Sequence, residues 1–211
     1  MLSHDTAGAG DRASSSAERL RLVILGTSLT AGYGLDPSQS YPTLLQHSID
    51  SAGLPFTVVN AGLSGETSAG ALRRVGWLIR GPVDVFVLET GANDALRGLD
   101  VDSTRAHIVA IIDSVRRVHP ASRIALVQMM APPNLGPAYT RAFDGMYAAI
   151  AKREHVTLLP FLLAGVAGHP ALNQGDGLHP NVRGERIVAE TMWRGLEPLL
   201  RVVADSVRAT S

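Results

Sequence analysis

Near its beginning the chain carries the segment LRLVILGTSLTAGYG, residues 20–34, in which an apolar run stops at a turn of glycine and hydroxyl side chains. The first six residues, Leu20–Leu25, are rich in Leu, Val and Ile, which is typical of a strand buried on both faces. Four similar runs follow, at Phe56–Val59, Val83–Glu89, Arg123–Met129 and His155–Pro160. The segment therefore predicts the first of five short buried strands.

Amphipathic segments separate these runs, and each has the spacing of a helix with one buried face. The predicted helices are Tyr41–Ala52, Ser68–Ile79, Ser103–Val118, Ala138–Arg153 and Val182–Val203. Strands that alternate with helices predict an α/β fold, a three-layer α/β/α sandwich around a five-stranded parallel sheet. Right-handed crossovers favour the flavodoxin-like order 2-1-3-4-5, in which ligands bind beyond the carboxyl ends of strands 1 and 3.

The composition suits one globular domain, because 45% of the 211 residues are hydrophobic. We place this domain at residues 20–205, after a polar leader at 1–19 and before a short tail at 206–211. The leader lacks the apolar segment of a signal peptide, so a cytoplasmic location is expected unless a leader has been removed.

Several classes of protein are disfavoured by the same composition. Lys plus Arg and Asp plus Glu both total 19, so no basic surface for nucleic acid is indicated. No apolar run is long enough to span a membrane. There is no cysteine, which excludes disulfides and thiolate chemistry. The oligomeric state stays open.

Ser28 is the first candidate for chemistry, since it lies on the turn after the first strand. A serine on a tight strand-to-helix turn exposes its hydroxyl at the sheet edge, and the following amides are available to an oxyanion. The alternative is that Thr27 or Ser28 only caps a helix.

The most informative segment is GDGLHP, residues 175–180. His179 is followed by Pro180, which suits the first turn of a helix, so the helix dipole is expected to keep the imidazole neutral. Asp176 can orient that imidazole by accepting its Nδ1–H. The alternatives are a surface turn or a metal site with His169, although a metal usually needs three or more converging ligands.

Glycine and amide side chains follow strands 2 and 3. In NAGLSGET, residues 60–67, Gly62 leaves its N–H unobstructed, as an oxyanion donor requires. In ETGAND, residues 89–94, Asn93 can donate from a side-chain amide. Each segment alone is equally compatible with an ordinary turn that caps the next helix.

Taken together, these segments resemble the signature blocks of the SGNH hydrolases, also called the GDSL esterase/lipase family, and most of all the arylesterase and acyl-CoA thioesterase I branch. The stretches that carry the resemblance lie between about Leu20 and Leu200: residues 26–34, 60–70 (NAGLSGETSAG), 88–94 (LETGAND), 130–136 (MAPPNLG) and 176–181 (DGLHPN).

The resemblance implies a serine hydrolase that cleaves carboxylic esters, and possibly thioesters, without cofactor or metal. Ser28 matches the family nucleophile, His179 the base and Asp176 its orienting acid. The N–H groups of Ser28 and Gly62 and the side chain of Asn93 match the oxyanion hole.

The resemblance also implies that two mostly apolar loops, Ala131–Tyr139 and Leu162–Leu172, flank the site, which favours short-to-medium acyl or aryl esters over sugars as substrates. The expected substrate-binding residues are Pro132, Pro133, Tyr139 and Leu178. A carbohydrate or acetyl-xylan esterase with the same triad stays a rival, although aromatic residues, which form sugar platforms, are only 5% here. The alternative outside the hydrolases is a flavodoxin-like binding domain that has no catalytic activity.

Thr27 departs from the family pattern, because most members have aspartate before the nucleophile. Threonine removes a negative charge beside Ser28 and stiffens the turn by its β-branch. A change in rate, pH profile or substrate preference is therefore expected, with its direction open.

Overall fold

The computed structural model describes residues 19–210. The leader predicted at 1–19 lies outside the described residues except for Arg19. Five strands form one sheet: β1 (Leu20–Gly26), β2 (Phe56–Gly62), β3 (Val85–Leu88), β4 (Arg123–Gln128) and β5 (Thr157–Phe161). All neighbouring strands are parallel, and their order is β2-β1-β3-β4-β5, which confirms the predicted topology.

Within residues 19–210, seven α-helices connect and cover these strands. They are α1 (Ser28–Ala31), α2 (Tyr41–Ser51), α3 (Ser68–Leu78), α4 (Ala92–Leu96), α5 (Val101–Val118), α6 (Pro137–Glu154) and α7 (Val182–Thr210). One layer contains α2 packed against α7, and another contains α3, α5 and α6 side by side. The described residues therefore form the predicted α/β/α sandwich. The last helix runs past Val203, where its apolar pattern ends, as far as Thr210.

The core explains why the central strands are uniformly apolar. Residues 22–25 of β1 and 85–88 of β3 are all buried, because helices cover both faces of the sheet. At the edge, β2 has an irregular burial pattern with exposed Thr57 and Asn60.

The sheet brings three loops to one place. Residue Leu25 of β1 pairs with Ala61 of β2 on one side and Leu88 of β3 on the other. The chain segments that follow these strands therefore leave the sheet at the same edge, at the point where the strand order reverses.

Candidate active site

Ser28 is the first residue of α1, and it follows β1 by a single extended residue, Thr27 (φ −100°, ψ −151°). Gly32, in the left-handed region at φ 71°, ends the helix after about one turn. The N–H of Tyr33 donates to the Ser28 carbonyl at 3.0 Å. This sharp turn leaves the Ser28 side chain half-buried at the carboxyl edge of the sheet.

A chain of hydrogen bonds joins Ser28 to His179 and Asp176. The Ser28 Oγ lies 2.8 Å from His179 Nε2, and His179 Nδ1 lies 2.6 Å from Asp176 Oδ2. The other carboxylate oxygen of Asp176 accepts from the N–H groups of Leu178 and His179 at 2.9 and 3.0 Å. The aspartate therefore holds both the ring and the backbone of its own loop.

These contacts set the protonation of the site. The hydrogen bond from the His179 ring, together with the two amides, lowers the pKa of Asp176 from 3.8 to about 2. An ionised Asp176 can accept the Nδ1–H of the imidazole. With that proton on Nδ1, the Nε2 lone pair is available to accept the Ser28 hydroxyl hydrogen.

The backbone around His179 differs from the expected helix start. Helix α7 begins at Val182, where the Asn181 side chain caps it by accepting from the N–H groups of Arg183 and Gly184 at 3.0 and 3.1 Å. Pro180 instead lies in an isolated bridge with Asn173. The prediction that Pro180 occupies the first helical turn is wrong, because Asn181 is the better cap.

Two side chains that the sequence did not single out support His179. The Tyr33 ring lies over the imidazole, with 4.6 Å between ring centroids and an angle of 40°. Gln174 donates from Nε2 to the carbonyls of Tyr33 and Pro180 at 2.7 and 2.9 Å. Gln174 thus links the loop that carries the histidine to the loop that follows the serine.

Asn93 reaches the same place from α4. Gly91 precedes this short helix in the left-handed region (φ 101°), a conformation that glycine adopts without strain. The Asn93 amide donates one hydrogen bond to the Glu66 carbonyl at 3.0 Å and lines the cavity beside Ser28. One amide hydrogen therefore holds Asn93 in place, and the other is available to a ligand.

The structure does not place Gly62 in the site. Its N–H donates to Asn60 Oδ1 at 2.9 Å, and its Cα pairs with Gly26 within the sheet. A Cβ at Gly62 would meet the Ala31 nitrogen at 2.3 Å, so close packing against α1 requires glycine there. The prediction that Gly62 supplies an oxyanion donor is wrong, because that N–H is already engaged and Gly62 does not line the cavity.

Gly65 occupies the place expected of Gly62. It lines the cavity with Ser28 and Asn93, and its φ of 76° is in the left-handed region. Within residues 19–210 its N–H donates to no protein group, whereas its carbonyl accepts from Arg97 at 3.0 Å.

Two buried ion and hydrogen-bond clusters hold these loops. Arg74 forms a two-pronged ion pair with Glu66, with both distances 2.6 Å, and also donates to the Ala61 carbonyl. Asp94 accepts from the N–H of Ser68 at 2.8 Å and from its hydroxyl. These contacts join the start of α3 to Glu66, which holds the Asn93 side chain, and to α4, the helix that carries Asn93.

An apolar cavity of about 260 Å³ opens beside the Ser28 and His179 side chains. Of the predicted substrate-binding residues, Leu178 lines it, and Pro132, Pro133 and Tyr139 do not. The Tyr139 hydroxyl instead donates to the Leu99 carbonyl at 2.7 Å. The other apolar lining comes from the loops after the strands and from α1 and α4: Leu29, Tyr33, Ala92, Leu96, Met129, Met130, Phe161 and Leu163.

Two further observations concern metal binding and membrane-spanning helices. Within residues 19–210 no three His, Asp or Glu side chains are grouped so that they could hold a metal ion, and His169 does not join Asp176 and His179. Among the helices of that same region, none has the length and apolar character needed to cross a membrane.

Comparisons with known proteins identify the family of the chain. Residues 24–187 match the model of the GDSL-like lipase/acylhydrolase family. The esterase TesA of Pseudomonas aeruginosa is 37% identical over 85% of this chain and 89% of its own length. The thioesterase 1/protease 1/lysophospholipase L1 of Escherichia coli is also 37% identical, over 85% of this chain and 84% of its own.

A solved structure is similar over the same region. The crystal structure of the psychrotrophic esterase EstA from Pseudoalteromonas sp., inhibited by monoethylphosphonate, has a TM-score of 0.81 and 32% identity, and covers 86% of this chain and 98% of that one. The family match spans most of the chain, and the named relatives are ester-cleaving enzymes. The chain therefore belongs to the GDSL-like lipase/acylhydrolase (SGNH hydrolase) family and is a carboxylic ester hydrolase.

Proposed function

We propose that the chain hydrolyses esters and thioesters of short-to-medium acyl or aryl type through an acyl-enzyme on Ser28. The observation that carries the proposal is the hydrogen-bonded series from Ser28 Oγ through His179 to Asp176 at an apolar cavity. Its order is that of a serine nucleophile, its base and an orienting acid.

In the first half-reaction, His179 Nε2 takes the hydroxyl proton while Ser28 Oγ attacks the substrate carbonyl carbon. The imidazolium that forms is stabilised by ionised Asp176. The carbonyl oxygen becomes an oxyanion, and we assign its donors as the N–H groups of Ser28 and Gly65 and the Asn93 side-chain amide. Their places around the cavity support this assignment, with Gly65 in the role first expected of Gly62.

The first half-reaction ends when His179 gives its proton to the leaving alcohol or thiol, as the carbon–oxygen or carbon–sulfur bond breaks and the acyl group stays on Ser28. In the second half-reaction, water loses a proton to His179 and attacks the acyl-Ser28 carbonyl. The second intermediate then collapses, the bond to Ser28 Oγ breaks, His179 returns its proton to that oxygen and the acid is released. Asp176 orients the ring in both halves.

The cavity lining supports acyl or aryl substrates. Met130, Phe161, Leu163 and Leu178 present carbon and sulfur atoms to a bound chain, and burial of each methylene contributes about 0.8 kcal/mol. A sugar ester would need polar partners or flat aromatic platforms, and this apolar lining does not favour the carbohydrate esterase alternative. The relatives named as an esterase and a thioesterase/lysophospholipase are consistent with acyl substrates.

A fluorophosphonate probe tests the nucleophile, because it reacts covalently only with an activated serine. We expect labelling of the wild type and of Ser64→Ala, which removes the other serine of the cavity, and none of Ser28→Ala. Labelling at Ser64, or no labelling of the folded wild type, would overturn the proposal. A series of p-nitrophenyl esters of increasing chain length, run beside acyl-CoA substrates, then defines the leaving group and acyl length.

A further inference from the structure

A buried carboxyl group that the proposed mechanism does not use lies beneath the nucleophile turn. Glu89 directly follows β3, and no part of it is exposed. Within residues 19–210 it contacts no Arg, Lys or His, although a buried carboxyl without a cation is costly. Burial accordingly raises its pKa, and the hydrogen bonds described next oppose that rise.

The partners of Glu89 lie on both sides of Ser28. Thr27 donates to it twice, from its N–H at 2.7 Å and from its hydroxyl at 3.0 Å. Thr30 donates from its hydroxyl at 2.9 Å, and the Tyr41 hydroxyl lies 2.7 Å behind that group. One carboxyl group therefore holds the residue before the nucleophile and the residue two positions after it.

The space around this group is filled. A Cβ on Gly26 would lie 1.9 Å from Thr30 Oγ1 and 2.8 Å from Glu89 Oε2. Glu89 in turn acts on the hydroxyls of Tyr41 and Tyr147, both fully buried, and burial together with the Glu89 carboxylate raises the pKa of each. The cluster is thus enclosed, and the groups that hold the Glu89 carboxyl are hydroxyls and the backbone amides of Thr27 and Thr30.

We infer that Glu89 is a positioning residue for the nucleophile, and that the Thr27 hydroxyl is the partner that lets a single buried carboxyl hold the Ser28 turn from both sides. This inference rests on the proposed role of Ser28. A catalytic serine must lie within a fraction of an ångström of its productive position, and a displacement of about 1 Å can cost roughly 10²-fold in rate. Thr27 and Thr30 supply that constraint at the residues on either side of Ser28 in the turn.

The contact between Thr27 and Glu89 gives a physical consequence to having threonine at position 27, where most of the family has aspartate. An aspartate there would bring a second carboxyl to the position from which Thr27 Oγ1 touches both oxygens of Glu89. Two carboxyls at that distance cannot both be ionised and would share a proton. Threonine supplies a donor instead, so no shared proton is needed beneath the nucleophile.

Two substitutions test the inference by the division of their effects between kcat and KM. Thr27→Val keeps the shape and removes the hydroxyl, and Glu89→Gln keeps the acceptor for the Thr27 amide and removes the charge. We expect each to lower kcat for a p-nitrophenyl ester about tenfold or more. Glu89 does not line the acyl cavity, so Glu89→Gln should change KM less than about twofold, whereas Thr27 does line it, so the KM of Thr27→Val is compared with that of Thr27→Ser. Thr27→Ser, which retains the hydroxyl, should recover most of the loss.

Thr191→Val is the matched control, since Thr191 is a buried threonine on α7 outside the active-site cavity. Thr27→Val and Glu89→Gln variants that melt at lower temperature but keep the kcat of Thr191→Val would overturn the inference and leave the cluster a purely structural role. If Thr27→Val does not fold, Glu89→Gln and Thr27→Ser decide the matter alone. A folded wild type that neither labels at Ser28 nor cleaves esters would overturn the proposed function as well.

Discussion

Glu185 offers a test of the buried electrostatics that does not depend on catalysis. It lies in the first turn of α7 with only 2% of its surface exposed, and its Oε2 accepts from the Tyr41 N–H at 2.6 Å. Burial raises its pKa from 4.5 to about 8. The perturbation is Glu185→Gln, which keeps an oxygen for the Tyr41 amide and cannot ionise.

The sign and size of the effect follow from proton linkage. A raised pKa in the folded protein means that Glu185 stays protonated while the unfolded chain ionises. Its contribution to stability is therefore complete below pH 4.5 and is lost as the pH rises towards 8. Each pH unit across that window costs about 1.4 kcal/mol. Glu185→Gln should thus gain about 3 kcal/mol over the wild type between pH 4.5 and pH 7.

Urea unfolding at a series of pH values from 4 to 8 measures this difference directly. The two stability curves should diverge steadily, with the variant more stable at the alkaline end. Glu190→Gln, on an exposed part of the same helix, is the matched control and should leave the wild-type curve nearly unchanged. Parallel curves for Glu185→Gln and the wild type would refute the reasoning, because they would show that Glu185 titrates alike in both states.

Three further predictions concern the active site. Asn93→Ala should lower kcat by roughly 10²–10³ while the protein stays folded, checked by steady-state kinetics and circular dichroism; near-wild-type kcat would remove Asn93 from the oxyanion hole. Asp176→Asn should lower kcat by about 10⁴ because the amide favours the wrong His179 tautomer, and a loss below about tenfold would contradict that role. Thr27→Asp should lose activity as the pH rises, since it shares a proton with Glu89 that is removed in alkali, and a pH–rate profile equal to the wild type would make the position neutral.

The sheet could be predicted from the sequence because burial produces a visible apolar pattern. Short or exposed helices have no such pattern and were therefore missed or predicted too short. Central strands such as β1 and β3 are buried on both faces and are therefore uniformly apolar, which a single sequence reveals. Helices α1 and α4 are too short to show a helical repeat of apolar residues, so the sequence pattern did not predict them. The last turns of α7 are mostly exposed, and exposed turns carry no apolar stripe.

The error at Gly62 has a single origin at the end of β2. The apolar run stops at Val59, so the pattern placed Asn60, Ala61 and Gly62 in a loop, whereas the strand continues to Gly62. The Asn60 side chain also takes the Gly62 N–H, a contact that spacing alone does not reveal. The free glycine amide accordingly lies three residues later, at Gly65.

Asp176 and His179 were accessible from sequence because they are neighbours in one short turn. Tyr33, Gln174 and Glu89 were not, since each acts through contacts between loops that are distant in the chain. The substrate residues divide in the same way. Leu178 adjoins His179 in sequence, whereas Phe161, the last residue of β5, reaches the cavity beside Ser28 only once β5 joins the sheet.

The separation of 151 residues between Ser28 and His179 has a consequence for folding. The proposed nucleophile follows the first strand of the sheet and its proposed base follows the fifth, so the pair depends on contacts across most of the described region. Recovery of turnover after denaturation should therefore report a contact of high sequence separation, because the loop between these two residues must close at an entropic cost before the pair can form.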